Sequence, residues 1–507
     1  MSQFEPSKYI SLLRVLAPMA KKLIRRVTKL MVVLAMGASW GSAAALELGI
    51  EGFLGYESQQ NINDSTIDGE LAVEPKVLNS VISVFGEQRG RILRADFSGE
   101  LETESDLEDE NYNVATVTRF AGAGELSITP RAFRWYFGDV LAAVRNPDAF
   151  RIADDINENS INLFVTGPTF ESVTEGVSAT EARLFYLHQS QDGEEPQSIY
   201  NFSVRHQWDA SVSSFYGVRF NDIYTAVAED PNFNPALGEA PDGDFNRMTL
   251  AVFSNRTRGS SEFYGELGAT RYDTDTESIT GLAAGLRYTR ILGPRTTFDT
   301  GITHTLNDQT LNTIEALLIN DGDDAGLQPE VDGIFAETRI DARYQLELPR
   351  SRFEFIVGLA QLGYKALTGD AAIFLAVDGE DQNQGTVTAV YSKELSPRWE
   401  ASLSGVFERS EYVNREDRSD AALITGVLGY TLTRSLDLEI SLVYDAGEGL
   451  RTRFNRVVDP SAESGFSIVR DEFETDESLT RASIGIRWAP PTRASRDLTL
   501  RLNSLMQ

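Results

Sequence analysis

The side chains able to do chemistry are few and scattered. Three histidines occur in 507 residues, His188, His206 and His304, and there is no cysteine. His188 and Ser190 are two residues apart, so on an extended strand they point to one face, where an imidazole could act as base to a hydroxyl nucleophile. The competing interpretation is a strand-end histidine near an outer rim. His206 and His304 have no Glu or second His at ligand spacing, which argues against a transition-metal site. Asp242-Gly243-Asp244-Phe245-Asn246 opens like a calcium loop, but Arg247 replaces the glycine of the turn and Phe253 stands where the bidentate Glu belongs. The stretch from Asp321 to Gly326 has Ala325 at a ligand position. Both are expected to be solvated external loops with at most loose divalent binding. Neither a G-x-S-x-G elbow nor a phosphate-cradling glycine loop occurs. No catalytic, cofactor-binding or metal residue is assigned, no cofactor is expected, and the chain is taken as non-enzymatic.

What would position such residues is a strand pattern, clearest from Ser396 to Tyr444. Trp399, Ala401, Leu403, Gly405 and Phe407 alternate with Glu400, Ser402, Ser404, Val406 and Glu408, the period of a strand with two unlike faces. A charged loop follows, then a run ending at Leu432, then Thr433 and Arg434, then a third run with Leu436, Leu438, Ile440, Leu442 and Tyr444 on one face. Strand, long polar loop, strand, tight turn, strand is the asymmetry of a transmembrane β-barrel, whose strands run about 9 to 11 residues or more.

The same rhythm recurs along the chain. Strands are predicted at 46–56, 71–86, 91–104, 112–128, 132–143, 160–172, 178–190, 197–209, 212–223 and 245–256. They continue at 260–272, 278–291, 296–306, 332–347, 352–366, 385–394, 398–412, 420–432, 435–446 and 479–488. The predicted fold is therefore all-β, a transmembrane antiparallel up-and-down β-barrel of about 20 strands (18–22), with short periplasmic turns and long extracellular loops. Four short turns carry Pro-Arg, at 130/131, 294/295, 349/350 and 397/398, followed soon by Phe133, Phe298, Phe353 and Trp399. Proline suits a turn and cannot donate to a ladder, and the aromatics fall where an interfacial girdle belongs. The longest loop is expected from Gly447 to about residue 477, and the closing strand from Leu479 to Trp488.

Residues 1–45 have the form of a cleaved signal: a basic stretch with Lys21, Lys22, Arg25, Arg26 and Lys29, an apolar core from Leu30 to Ala38, and Ala43-Ala44-Ala45. Met19 would start a signal of ordinary length, which makes 1–18 an upstream extension. The barrel is assigned to 46–489, and 490–507 to a periplasmic tail or an additional short strand built on Leu498, Leu500 and Leu502. Strand sequence begins directly at Leu46, so no plug domain is expected ahead of the barrel. The net charge is −30 over the whole chain. Residues 1–45 hold seven Lys/Arg and one Glu, so the remainder carries −36. Such acidity excludes nucleic acid as a partner and favours cations in the lumen. The mean hydropathy of −0.24 is no objection, because every second residue of a spanning strand faces the lumen.

Three stretches carry a resemblance. The Trp135–Glu171 region with NLFVTGPTFE, the unit FAETRIDARYQLELPRSRFEF, and YSKELSPRWEASLSGVFERSEYVNREDRSDAALITGVLGYTLTRSLDLEISLVYD are similar to the outer-membrane β-barrel proteins associated with exopolysaccharide and PEP-CTERM (exosortase) systems. That resemblance implies a porin-like channel or export component for surface polysaccharide in the outer membrane of a Gram-negative bacterium. The alternative is a non-conducting barrel that anchors surface material. Expected partners are outer-membrane lipid and lipopolysaccharide, the barrel-assembly machinery, and polysaccharide or small solutes. A distant alternative compares His188 and Ser190 with outer-membrane phospholipase A, whose motif continues with Asn-Gly. Here Gln191 and Asp192 come before Gly193, and the positions do not match.

Overall fold

The computed structural model describes residues 46–63, 76–90, 92–106, 113–129, 132–145, 158–191, 196–227, 244–274, 278–308, 333–367, 381–414, 417–458 and 466–489. The predicted signal (1–45), the tail (490–507), Asp242–Gly243, Asp321–Gly326 and Pro130–Arg131 lie outside them. Twenty strands run in chain order: β1 (Leu46–Asn63), β2 (Lys76–Arg89), β3 (Leu93–Asp106), β4 (Asn113–Thr129), β5 (Phe133–Arg145), β6 (Glu158–Thr174) and β7 (Ser178–Gln191). They continue as β8 (Gln197–Ser211), β9 (Ser214–Val227), β10 (Phe245–Arg258), β11 (Ser261–Thr274), β12 (Ser278–Gly293), β13 (Thr296–Asp308) and β14 (Gly333–Leu348). The last six are β15 (Ser351–Leu367), β16 (Gln382–Ser396), β17 (Trp399–Tyr412), β18 (Arg418–Thr433), β19 (Leu436–Val458) and β20 (Phe466–Trp488). Each is antiparallel to the strands before and after it, and β20 returns to β1 with Gly52 opposite Trp488 and Asn63 opposite Glu477. The sheet is closed, so through the body of the barrel each strand pairs on both sides and satisfies its backbone groups within the ladder, as a lipid-exposed sheet must.

Alternation sorts the two faces. Leu250, Val252, Leu267, Leu282, Leu286, Ile302, Leu359 and Leu403 point out of the barrel and are exposed, as side chains meant for hydrocarbon are. Aromatic residues bracket this band. Trp208 stacks on Tyr216 near the short turns, Trp399 lies 4.6 Å from Tyr430, and Tyr200 meets Tyr224 at the other end. Tyr216 and Tyr224 are eight residues apart on β9, roughly 27 Å of strand at ~3.4 Å per residue and about 20 Å across the bilayer at a ~40° tilt. The predicted girdle is therefore present on the short-turn side, with Phe298, Phe353 and Trp399 in it.

The short turns share one construction. The carbonyl of each turn's last residue accepts a backbone hydrogen bond from the next hairpin: Arg295 from Glu347 at 2.7 Å, Arg350 from Glu394 at 2.8 Å, Arg398 from Thr431 at 2.8 Å. Proline one position earlier removes only a donor that has no ladder partner there. In five hairpins the register also shifts just before the turn, leaving Ile128, Ala210, Leu292, Leu395 and Leu432 as bulged residues.

One expectation is overturned. The segment from Gly447 to residue 477 is not a long loop: β19 and β20 are 23 residues each and stay paired from Leu436↔Trp488 to Val458↔Phe466. β18 reaches only to Leu450 and β1 only to Glu477, so beyond them, among the described residues, the pair continues as a two-stranded ribbon.

Candidate functional site: the barrel lumen

The inward positions hold the charge. Near the short-turn end, Arg134 reaches Glu171 at 2.8 Å and Glu125 at 3.9 Å, and Arg183 reaches Glu181 at 2.9 Å. Arg219 pairs with Glu266, Arg287 with Asp299 at 2.9 Å, and Glu354 holds both Arg343 and Arg352. Arg487 meets Glu439 at 2.8 Å. Most of these pairs link residues on neighbouring strands and form a belt inside the barrel, which alternation places opposite the membrane face.

The wall is not uniform above that belt. On β4–β9 part of the inward face is apolar: Ala121, Ala123, Val140, Leu163, Val165, Phe185, Leu187, Ile199 and Ile223 form one buried cluster against Tyr136. Where β6 and β7 pass this cluster both faces are apolar, so NLFVTG and LFYL read as continuous runs rather than as alternation. That loss of contrast is the signal the sequence does offer for this patch, which periodicity alone passes over. On β16–β20 the inward face is hydroxylic and acidic. Ser392 faces Ser402, Ser441 meets Ser483 at 2.6 Å, and Glu394 stands directly opposite Glu400 with both exposed.

The three histidines are all on the membrane face. His188 Nδ1 is 3.4 Å from Ser198 Oγ and its ring stacks on Tyr186, while Ser190 is the ladder partner of Asn162. His206 Nδ1 lies 2.7 Å from Thr180 Oγ1 with its ring edge-on to Trp208, and His304 Nδ1 lies 2.8 Å from Thr338 Oγ1. The structure brings no two of them together. Among the described residues no cluster of three or more His, Cys, Asp or Glu could hold a metal ion.

No family model and no curated protein matches the chain. Solved structures that resemble it include the siderophore receptor PirA from Pseudomonas aeruginosa, with 10% identity and a TM-score of 0.42 over 88% of this chain and 81% of that one. The FrpB iron transporter from Neisseria meningitidis in its apoprotein form gives 7% and 0.49, over 87% and 81%. OccAB4 from Acinetobacter baumannii gives 8% and 0.35, over 87% and 98%. Likeness this distant carries no cargo or mechanism across, and the barrel assignment rests on the closed ladder itself. Fold, membrane band and charged interior together define a transmembrane β-barrel of outer-membrane type.

Proposed function

We propose that the protein is a channel of the Gram-negative outer membrane that serves surface polysaccharide, as the resemblance in its sequence implies. The observation that supports it is the combination of a closed twenty-stranded wall with an ion-paired, hydroxyl-bearing interior. Barrels of about 16 to 18 strands enclose water, and those of about 22 hold a plug, so this size leaves room for a hydrated solute. Lipid, lipopolysaccharide and the barrel-assembly machinery are partners such a wall would require. The test is conductance of the purified barrel in planar bilayers, expected as discrete cation-preferring steps. A correctly folded barrel that never conducts overturns the channel assignment.

A second interpretation, a non-conducting barrel that anchors surface material, is favoured by the two-stranded ribbon of β19 and β20. It predicts that deleting the gene abolishes matrix production while small-solute permeability stays unchanged. Neither interpretation needs an enzyme. Hydrolysis of a phospholipid substrate that disappears in Ser190→Ala would overturn both.

A further inference from the structure

On the membrane face of β10–β14, close to the short turns, the wall is hollowed into a groove of about 570 Å³. Its depth comes from small residues, Gly265 and Thr300, set among the larger Phe263, Tyr288, Leu286 and Ile302. The Phe263 ring lies 4.7 Å from that of Tyr288, whose hydroxyl is 3.3 Å from Ser261 Oγ on the side of the turn. The turn end is basic. Arg256 lines the groove, and Arg258 and Arg290 are both ladder partners of Ser261, so they stand two strands apart, about 10 Å. All three arginines are exposed. The outward positions around them are Ser214, Ser254, Ser261, Phe298 and Thr300, with no carboxylate among them. Glu262 is next in sequence to Ser261, but it faces the lumen and accepts from Asn255 at 2.6 Å. At the opposite end of the same outward face the pattern differs, since Arg271 is held by Asp273 at 2.7 Å.

Depth in the membrane decides what can meet these arginines. Tyr216, in the aromatic girdle, is the ladder partner of Ser254, and Arg256 is one outward position nearer the turn, about 5 Å along the bilayer normal. Its guanidinium therefore stands at headgroup level in the periplasmic leaflet, which is phospholipid. An apolar groove open to hydrocarbon matches an acyl chain, and the arginines at its end match a phosphate. A second copy of the chain fits worse. Docked on this groove through a two-fold axis, it would set the same arginines against each other. A zwitterionic headgroup also fits worse, because it carries a cation into the cluster. We propose that the groove is a binding site for one anionic phospholipid, with an acyl chain lying along Gly265 and the phosphate held by Arg256 between Arg258 and Arg290. The site rests on the outer-membrane reading but not on conduction.

The full-length barrel in detergent is titrated with dioleoyl phosphatidylglycerol or dioleoyl phosphatidylcholine and read by native mass spectrometry, which separates bound lipid from a second copy. One phosphatidylglycerol per barrel is expected to be retained at a roughly ten-fold lower concentration than phosphatidylcholine. Arg256→Gln/Arg290→Gln should erase that preference, weakening phosphatidylglycerol about ten-fold and leaving phosphatidylcholine unchanged. Gly265→Leu, whose new Cβ would meet only the tip of Leu286 at 3.4 Å, should fill the groove and weaken both lipids. Arg271→Gln, at the far end of the same face, should change neither. Heat-modifiable mobility on electrophoresis shows that each variant is folded. Equal retention of the two lipids, a preference that survives the double arginine variant, or binding untouched by Gly265→Leu overturns the site. Dimers that form in place of the lipid adduct overturn it as well. Neither result bears on conduction, so the channel assignment stands or falls separately.

Discussion

Phe53 sits on the seam where the barrel closes, and two glycines make room for it. Gly55 and Gly485 are ladder partners, and a Cβ on either would lie 2.7 Å or 2.4 Å from the Phe53 ring. Gly485→Ala is therefore expected to destabilise the barrel by about 1–3 kcal/mol, the usual cost of overpacking. Phe53→Ala in the same chain should recover much of that loss, because contacting sites are not additive. Equilibrium urea unfolding from lipid vesicles measures both, and strict additivity would count against this packing. A second expectation concerns Glu354, whose side chain is about one-tenth exposed between Arg343 and Arg352. Glu354→Gln should cost roughly 1–2 kcal/mol in the same assay, less than a fully buried pair because both arginines are half exposed. At this scale the sequence is only partly legible. The spacing puts Gly485 between Ile484 and Ile486, yet only the register says which aromatic covers it. His188 is similar: its neighbours Leu184 to Leu187 are apolar on both faces, so alternation alone could not say which way it points.

Strand order and short-turn positions are the most legible elements, since all twenty predicted segments overlap strands of the structure, with 71–75 of the second lying outside the described residues. They are readable because membrane on one side and lumen on the other impose a period of two over many residues. The ribbon of β19 and β20 escapes that logic. Past Leu450 the two strands pair only with each other among the described residues, and in sequence Phe454, Val457, Val458, Phe466, Ile468 and Phe473 fall in no single phase. Charge and two glycines, Gly447 and Gly449, then make the stretch look like a loop. Because Arg451–Val458 pairs only with Phe466–Phe473, the ribbon is dispensable to closure. Deleting 451–473 and joining Leu450 to Glu474, which are ladder partners, through a two-residue turn is expected to leave a folded barrel. Retained heat-modifiable mobility on electrophoresis checks this. Collapse of assembly would mean the ribbon is part of the closing strands' stability.

The whole molecule is acidic, but the lumen divides that charge unevenly. Its β7–β10 wall carries Arg183, Arg205, Arg219 and Arg247 against Glu181 and Asp209, with Arg205 lying 4.4 Å over the Phe253 ring. The β16–β20 wall carries Glu394, Glu400, Glu408, Asp437, Glu439 and Asp445 against Arg481 and Arg487. Like charges held face to face, as Glu394 and Glu400 are, gain no stability from each other, so in the proposed channel their common sign would act mainly on a permeating ion. Permeating cations should therefore follow the β16–β20 wall. Reversal potentials under a salt gradient are expected to give a cation preference that weakens as ionic strength rises past ~0.1 M, where the screening length falls to about 10 Å. The double substitution Glu394→Gln/Glu400→Gln should lower the cation-to-anion permeability ratio by roughly a factor of two at low salt. It should leave stability unchanged or slightly raised, since it removes a repulsion. If selectivity is untouched while the barrel still conducts, the ions take another wall, and the acidity of this chain belongs to its outer surface and not to its path.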